Sequence, residues 1–224
     1  MEVLKQLKNK IIVSVQAMPD EPFYKEDCML AMMQSVVNGG AGGLRVAGIR
    51  DVKNAKKFFK VPVIGITKPD KLLENWQEVV YITPTLSDVE KLIDVGADII
   101  AFDGTLRSRE CPLEVMIEKI HAAKRLAMAD IATYEEGLNC AGVNVDILST
   151  TLSGYTKESL TLSEDPDFEL LKKLVKNTKV PIILEGRIWE FNQVQRAFEL
   201  GAHAVVIGSA ITRPQLIVKR FIKG

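Results

Sequence analysis

A lysine standing before a proline at the end of an apolar run is the sharpest chemical feature of the chain: Val63-Ile64-Gly65-Ile66-Thr67-Lys68-Pro69. Proline biases the preceding residue towards an extended conformation, so Lys68 continues the direction of the run. An amine placed there acts as a base if its pKa falls, or as an imine-forming nucleophile. Glu185 closes a second such run, Val180-Pro181-Ile182-Ile183-Leu184. Burying an unpaired carboxylate is costly, so Glu185 needs a partner or a proton role. Arg187, two positions on, is a candidate partner. Gly186, Gly208 and Ser209 are small residues after apolar runs, where backbone N–H groups can approach anionic oxygens. Arg213 could add a bidentate contact, and together these residues predict a phosphate site. Asp103 and Asp130 also follow apolar runs, but acids there commonly cap the next helix.

The runs that would position these groups recur along the whole chain. Eight read as strands: Ile11–Val15, Gly43–Val46, Pro62–Ile66, Asp98–Phe102, Leu126–Asp130, Asp146–Ser149, Pro181–Glu185 and Ala204–Ile207. Most lack apolar–polar alternation, as expected of parallel strands buried on both faces. Eight helices separate or follow them: Glu26–Asn38, Asp51–Lys60, Leu86–Val95, Leu113–Lys124, Thr133–Ala141, Asp167–Asn177, Glu190–Leu200 and Arg213–Lys223. Ser87-Asp88 and Thr133 look like caps, the latter with Glu136 at capping-box spacing. Gly39, Gly96, Gly142 and Gly201 stand where a left-handed residue would end a helix.

Val95-Gly96-Ala97-Asp98-Ile99-Ile100 is echoed by Leu200-Gly201-Ala202-His203-Ala204-Val205, and Val61-Pro62-Val63-Ile64 by Val180-Pro181-Ile182-Ile183. Alternating strand–helix units with half-chain similarity predict one (β/α)8 barrel over 1–224, with its site at the C-terminal strand ends. An open doubly wound sheet is the rival, but the first strand–helix turn, Gln16-Ala17-Met18-Pro19-Asp20, lacks dinucleotide glycines. Two connections are long. Thr67–Thr85 is expected to hold an extended piece at Val79–Thr83, and Thr150–Pro166 has the length of a lid. Trp76 and Tyr81 belong to the first of these and find no role from sequence.

Composition narrows the function. Basic and acidic side chains balance at 29 each, which argues against nucleic acid as the main partner. Cys28, Cys111 and Cys140 show no metal or redox spacing and suit a reduced, cytoplasmic setting. His121 and His203 are too few for a multi-histidine metal site and read as structural. No apolar stretch approaches membrane-spanning length, and none near the N-terminus is long enough for a signal-peptide core. Lys53, Lys56, Lys57 and Lys60 read as a solvated helix face.

Seven ordered segments carry a family resemblance between about Leu4 and Phe221. They are Ile12–Ala17, Gly65–Lys68, Tyr81–Thr85, Met128–Ile131, Thr150–Thr156, Glu185–Arg187 and Gly208–Pro214. The chain resembles the N-acylglucosamine-6-phosphate 2-epimerases, also called N-acetylmannosamine-6-phosphate 2-epimerases. The resemblance implies a TIM barrel of the ribulose-phosphate-binding type. It implies an isomerase interconverting N-acetylmannosamine 6-phosphate and N-acetylglucosamine 6-phosphate in sialic acid catabolism, without organic cofactor or catalytic metal. It places Lys68 and Glu185 at the catalytic positions, and Gln16, Arg45, Asp130 and Arg187 at substrate-contacting ones. Gly186, Gly208, Ser209 and Arg213 fall where the family holds phosphate. The expected partner is a small phosphosugar, with a homodimer left open. Two rival functions stand beside this one: an aldolase forming an imine on Lys68, and a phosphosugar-binding protein without catalysis.

Overall fold

Strand side chains alternate between two apolar environments, which is why the strands show no polar face. In β3 (Val63–Ile66), Ile64 and Ile66 point into one hydrophobic cluster and Val63 into another. The first cluster fills a barrel. The second lies between the barrel and its helices.

The computed structural model describes residues 2–71 and 73–223. Eight parallel strands close in sequence order, β8 returning to β1. With β3 they are β1 (Lys10–Val15), β2 (Gly43–Ala47), β4 (Ile99–Asp103), β5 (Leu126–Asp130), β6 (Ile147–Ser149), β7 (Ile182–Glu185) and β8 (Ala204–Ile207). The helices are α1 (Glu2–Leu7), α2 (Glu26–Asn38), α3 (Ile49–Phe58), α4 (Leu86–Asp94), α5 (Leu113–Ala122), α6 (Tyr134–Gly142), α7 (Phe168–Asn177), α8 (Phe191–Glu199), α9 (Ser209–Thr212) and α10 (Pro214–Lys223). This is the (β/α)8 barrel that the recurring runs predict.

α1 and α9 are additions to the sequence reading. α1 offers only one fully buried side chain, Leu7, too little to show a helical stripe. That leucine nevertheless enters the inner barrel cluster with Ile12, Ile64, Ile99 and Ala204. α1 therefore stoppers the end of the barrel opposite the strand C-termini. His203 fastens it, its Nε2 lying 2.8 Å from the Leu4 carbonyl.

Several local expectations need correction. Val79–Thr83 forms bends and irregular backbone rather than a strand. Its register is set by Thr83, whose Oγ1 donates to the Ala101 carbonyl at 2.6 Å. The cap of α4 is Thr85, not Ser87: Asp88 occupies N3 and completes the box. Gly39 and Gly142 do not take the left-handed role; Gly40 (φ 96°) and Asn144 (φ 66°) do. Lys56 is no free surface charge, because its Nζ sits 2.6 Å from Asp98.

Candidate active site

Period-two geometry decides which strand residues reach the barrel interior. In β2, Leu44 and Val46 pack outward, so Arg45 between them points inward. The same parity turns Ser14, Asp103, Asp130, Ser149 and Glu185 inward near the strand C-termini. Pairing registers them side by side: Ser14 opposite Arg45, Asp103 opposite Asp130, and Asp130 opposite Ser149. Deeper inward positions are apolar. The polar layer therefore rests on a dry core.

Arg45 is the centre of that layer, with its side chain only 1% exposed. Its two terminal nitrogens meet the Asp130 carboxylate at 3.0 and 2.5 Å, a bidentate pairing. Nη1 also lies 3.2 Å from Glu185 Oε2. Thr151 Oγ1 bridges the two acids, 2.7 Å from Asp130 Oδ1 and 3.0 Å from Glu185 Oε2. It has one proton, so it donates to one acid at a time. Burial pushes the Glu185 pKa up, with Asp130 adding to the effect and Arg45 opposing it. Burial works against the charge of Arg45, but Asp130 and Glu185 outweigh it and raise its pKa.

Lys68 follows β3 as expected and donates from Nζ to Gln16 Oε1 at 2.9 Å. Gln16 Nε2 in turn donates to Ser14 Oγ at 2.8 Å. Burial, helped by the positive charge of Arg45, brings the Lys68 pKa down to about 8, against the pull of Glu185 and Asp130. A lysine with lowered affinity for its proton thus shares one electrostatic neighbourhood with a carboxyl of raised affinity. Such divergence is characteristic of acid–base sites.

Lys68, Gln16 and Glu185 open on a cavity of about 490 Å³ at the C-terminal mouth. Gly186, Arg187, Gly208, Ser209 and Arg213 line it as well, so the structure brings together eight of the ten predicted residues. Arg45 and Asp130 do not line the cavity and lie beneath it. Arg187 turns its guanidinium towards the β6–α7 loop, donating to the carbonyls of Ser153 and of Asp165, the latter at 2.8 Å. Arg213 is paired with Glu21 at 2.8 Å. Its bond to any incoming anion would compete with Glu21, which sequence reasoning missed.

Thr151, Trp76 and Tyr81 were also missed as site residues, and all three line the cavity. The sequence signal for Thr151 was its place two residues after a strand end. The aromatic pair had no such signal, because irregular backbone carries it to the mouth. Among the described residues, no three His, Cys, Asp or Glu side chains gather as a metal site. No helix among them is long and apolar enough to cross a membrane.

Known proteins resemble this chain over nearly its full length. Residues 29–224 match the family model described as "Putative N-acetylmannosamine-6-phosphate epimerase". A Clostridium perfringens protein named "Putative N-acetylmannosamine-6-phosphate 2-epimerase" is 43% identical over 222 residues, covering 98% of each chain. A Haemophilus influenzae protein of the same designation is 42% identical over 220 residues, 98% of this chain and 93% of its own. The solved structure of N-acetylmannosamine-6-phosphate 2-epimerase from Clostridium perfringens superposes with a TM-score of 0.92 at 42% identity, covering 98% of this chain and 95% of that one. Thiamine phosphate pyrophosphorylase from Pyrococcus furiosus, at 16% identity and a TM-score of 0.62 over 96% of this chain and 98% of its own, shares the fold alone. The chain belongs to the N-acetylmannosamine-6-phosphate 2-epimerase family.

Proposed function

We propose that the protein interconverts N-acetylmannosamine 6-phosphate and N-acetylglucosamine 6-phosphate by moving a proton at C2, as a cytoplasmic step in sialic acid catabolism. The observation that carries this reading is the pairing of Lys68 and Glu185 across one cavity, in a chain of this family. Lys68 follows β3 and Glu185 ends β7, and these two strands face each other across the ring.

In the open-chain sugar, C1 is an aldehyde and acidifies the C2–H bond. Neutral Lys68 takes the C2 proton, the electron pair moves onto the C1 oxygen, and a proton returns to the other face of C2. Inverting one centre in this way leaves the oxidation state unchanged and needs no organic cofactor. Glu185, with its raised pKa, serves ring opening or proton delivery. Gln16 holds Lys68 in place through their 2.9 Å hydrogen bond. Arg45 and Asp130 act from beneath, tuning both groups. Gly186, Gly208, Ser209 and Arg213 receive the phosphate, Arg213 exchanging Glu21 for it, and Arg187 borders the sugar.

Proton NMR of N-acetylmannosamine 6-phosphate with the protein in D2O tests the reading. Loss of the C2 proton signal with appearance of the gluco epimer is the expected result. Bound substrate without exchange would sink it in favour of a binding protein. Borohydride trapping of a covalent lysine adduct would favour the aldolase instead.

A further inference from the structure

The loop after β3 carries Trp76 and Tyr81 to the cavity, where their rings meet edge to face at 5.9 Å and 90°. An expensive support holds that loop. Arg107, 5% exposed, lies 2.5 Å from Asp103 Oδ2, and Asp103 is fully buried. Its Nε donates to Thr105 Oγ1 at 2.9 Å, and its Nη1 reaches the carbonyls of Trp76 and Gln77 at 3.3 and 3.1 Å. The Gln77 carbonyl also accepts from the Lys157 backbone N–H at 3.1 Å, tying in the β6–α7 loop. Beyond the pair, Thr83 holds φ 45°, a strained state for a β-branched residue. A buried ion pair and backbone strain are costly ways to hold a surface loop.

Position says what this corner faces. The anion-binding candidates follow β7 and β8. Asp103 and Asp130, whose charges act on Tyr81, end β4 and β5. In a closed ring of eight, β8 and β4 lie half a circumference apart. A hexose with its phosphate on C6 and that phosphate at β7–β8 therefore directs C1, C2 and the C2 substituent towards the aromatic corner. Lys68, which follows β3, lines the same cavity as the aromatic pair. The two rings and Ile82 give this part of the cavity wall its apolar surface. The Tyr81 hydroxyl makes no side-chain hydrogen bond among the described residues, and burial keeps it protonated, its pKa pushed up to about 12.

We propose that the Trp76–Tyr81 corner is the subsite for the N-acyl group of the substrate, and that Arg107, braced by Asp103, is the residue that positions it. The indole and phenol rings enclose the acyl methyl, and the Tyr81 hydroxyl donates to the acyl oxygen. This inference rests on the epimerase reading, so its test separates the two.

The test measures kcat/KM by C2 exchange for the N-acetyl and N-propanoyl forms of mannosamine 6-phosphate, with wild type, Trp76→Ala and Arg107→Gln. One extra methylene in a fitted pocket is worth about tenfold or more, so wild type should favour acetyl by that factor. Trp76→Ala should shrink the preference towards unity, and Arg107→Gln should shift it the same way. Inhibition by inorganic phosphate should stay unchanged in both variants. Tyr81→Phe, which keeps the ring, should raise KM for both substrates without changing the preference. If wild type exchanges neither sugar, the epimerase reading falls and takes the subsite with it. If wild type exchanges and Trp76→Ala leaves the preference intact, only the subsite falls. A preference moved by Trp76→Ala but not by Arg107→Gln removes Arg107 from the positioning role.

Discussion

Folding lowers the affinity of Lys68 for its proton, and activity and stability then respond to the same shift. In the proposed mechanism Lys68 takes the proton in its neutral form, so kcat/KM should rise with pH up to about 8 and level off above it. A pH–rate profile checks this, and a flat profile from pH 6 to 9 would remove Lys68 as the base. The unfolded lysine keeps its proton to 10.5, whereas the folded one gives it up near 8. Between those values the unfolded state binds more protons, so stability rises with pH across that window. Below it, folding carries a charge it disfavours. Lys68→Met should accordingly lower C2 exchange by roughly 10²- to 10⁴-fold, yet unfold at higher denaturant than wild type at pH 7. The buried layer beneath predicts the reverse trade. Asp130→Asn leaves Arg45 short of its bidentate partner and should cost about 3–5 kcal/mol in urea unfolding.

β3 shows how an element limits its own residues. Gly65, two positions before Thr67, packs outward where an added Cβ would lie 3.0 Å from both Leu92 Cδ2 and Ala97 Cβ. Gly65→Val should overpack the contact with α4, cost about 1–3 kcal/mol, and displace Lys68 enough to lower kcat. Thermal melts and exchange rates together test it, and a stable variant with slow exchange would isolate the positioning effect. The same strand shows what was legible in the sequence. Lys68 and Glu185 could be found because each ends an apolar run. Arg45 entered only through the family resemblance. Its partner Asp130 stands 85 residues away, a pairing that only barrel closure sets. Thr151 was hidden in a serine- and threonine-rich loop, and Trp76 and Tyr81 in a loop whose path depends on Arg107. Helix and strand positions followed from periodicity, whereas α1 escaped because six residues with one buried leucine carry no period.

At the level of the whole molecule, the barrel has a dry interior with one polar end. Its other end is closed by α1, whose Leu7 is fully buried in the inner cluster. Leu7→Ala should leave a cavity there and cost about 2–5 kcal/mol, read from denaturant midpoints. Since Leu7 is far from Lys68, exchange at 25 °C should survive in the fraction that remains folded. Loss of activity without loss of stability would contradict the division between a structural and a chemical end.

The stopper also orders events during synthesis. Leu4 leaves the ribosome 199 residues before His203, which anchors it. β1 likewise waits for β8 before its second edge is paired. The segment that carries Leu4 and β1 must therefore stay unsatisfied until His203 and β8 have been made, its apolar side chains and strand edge open to other chains. Closure cannot precede β8, so the nascent barrel has an open strand edge until then.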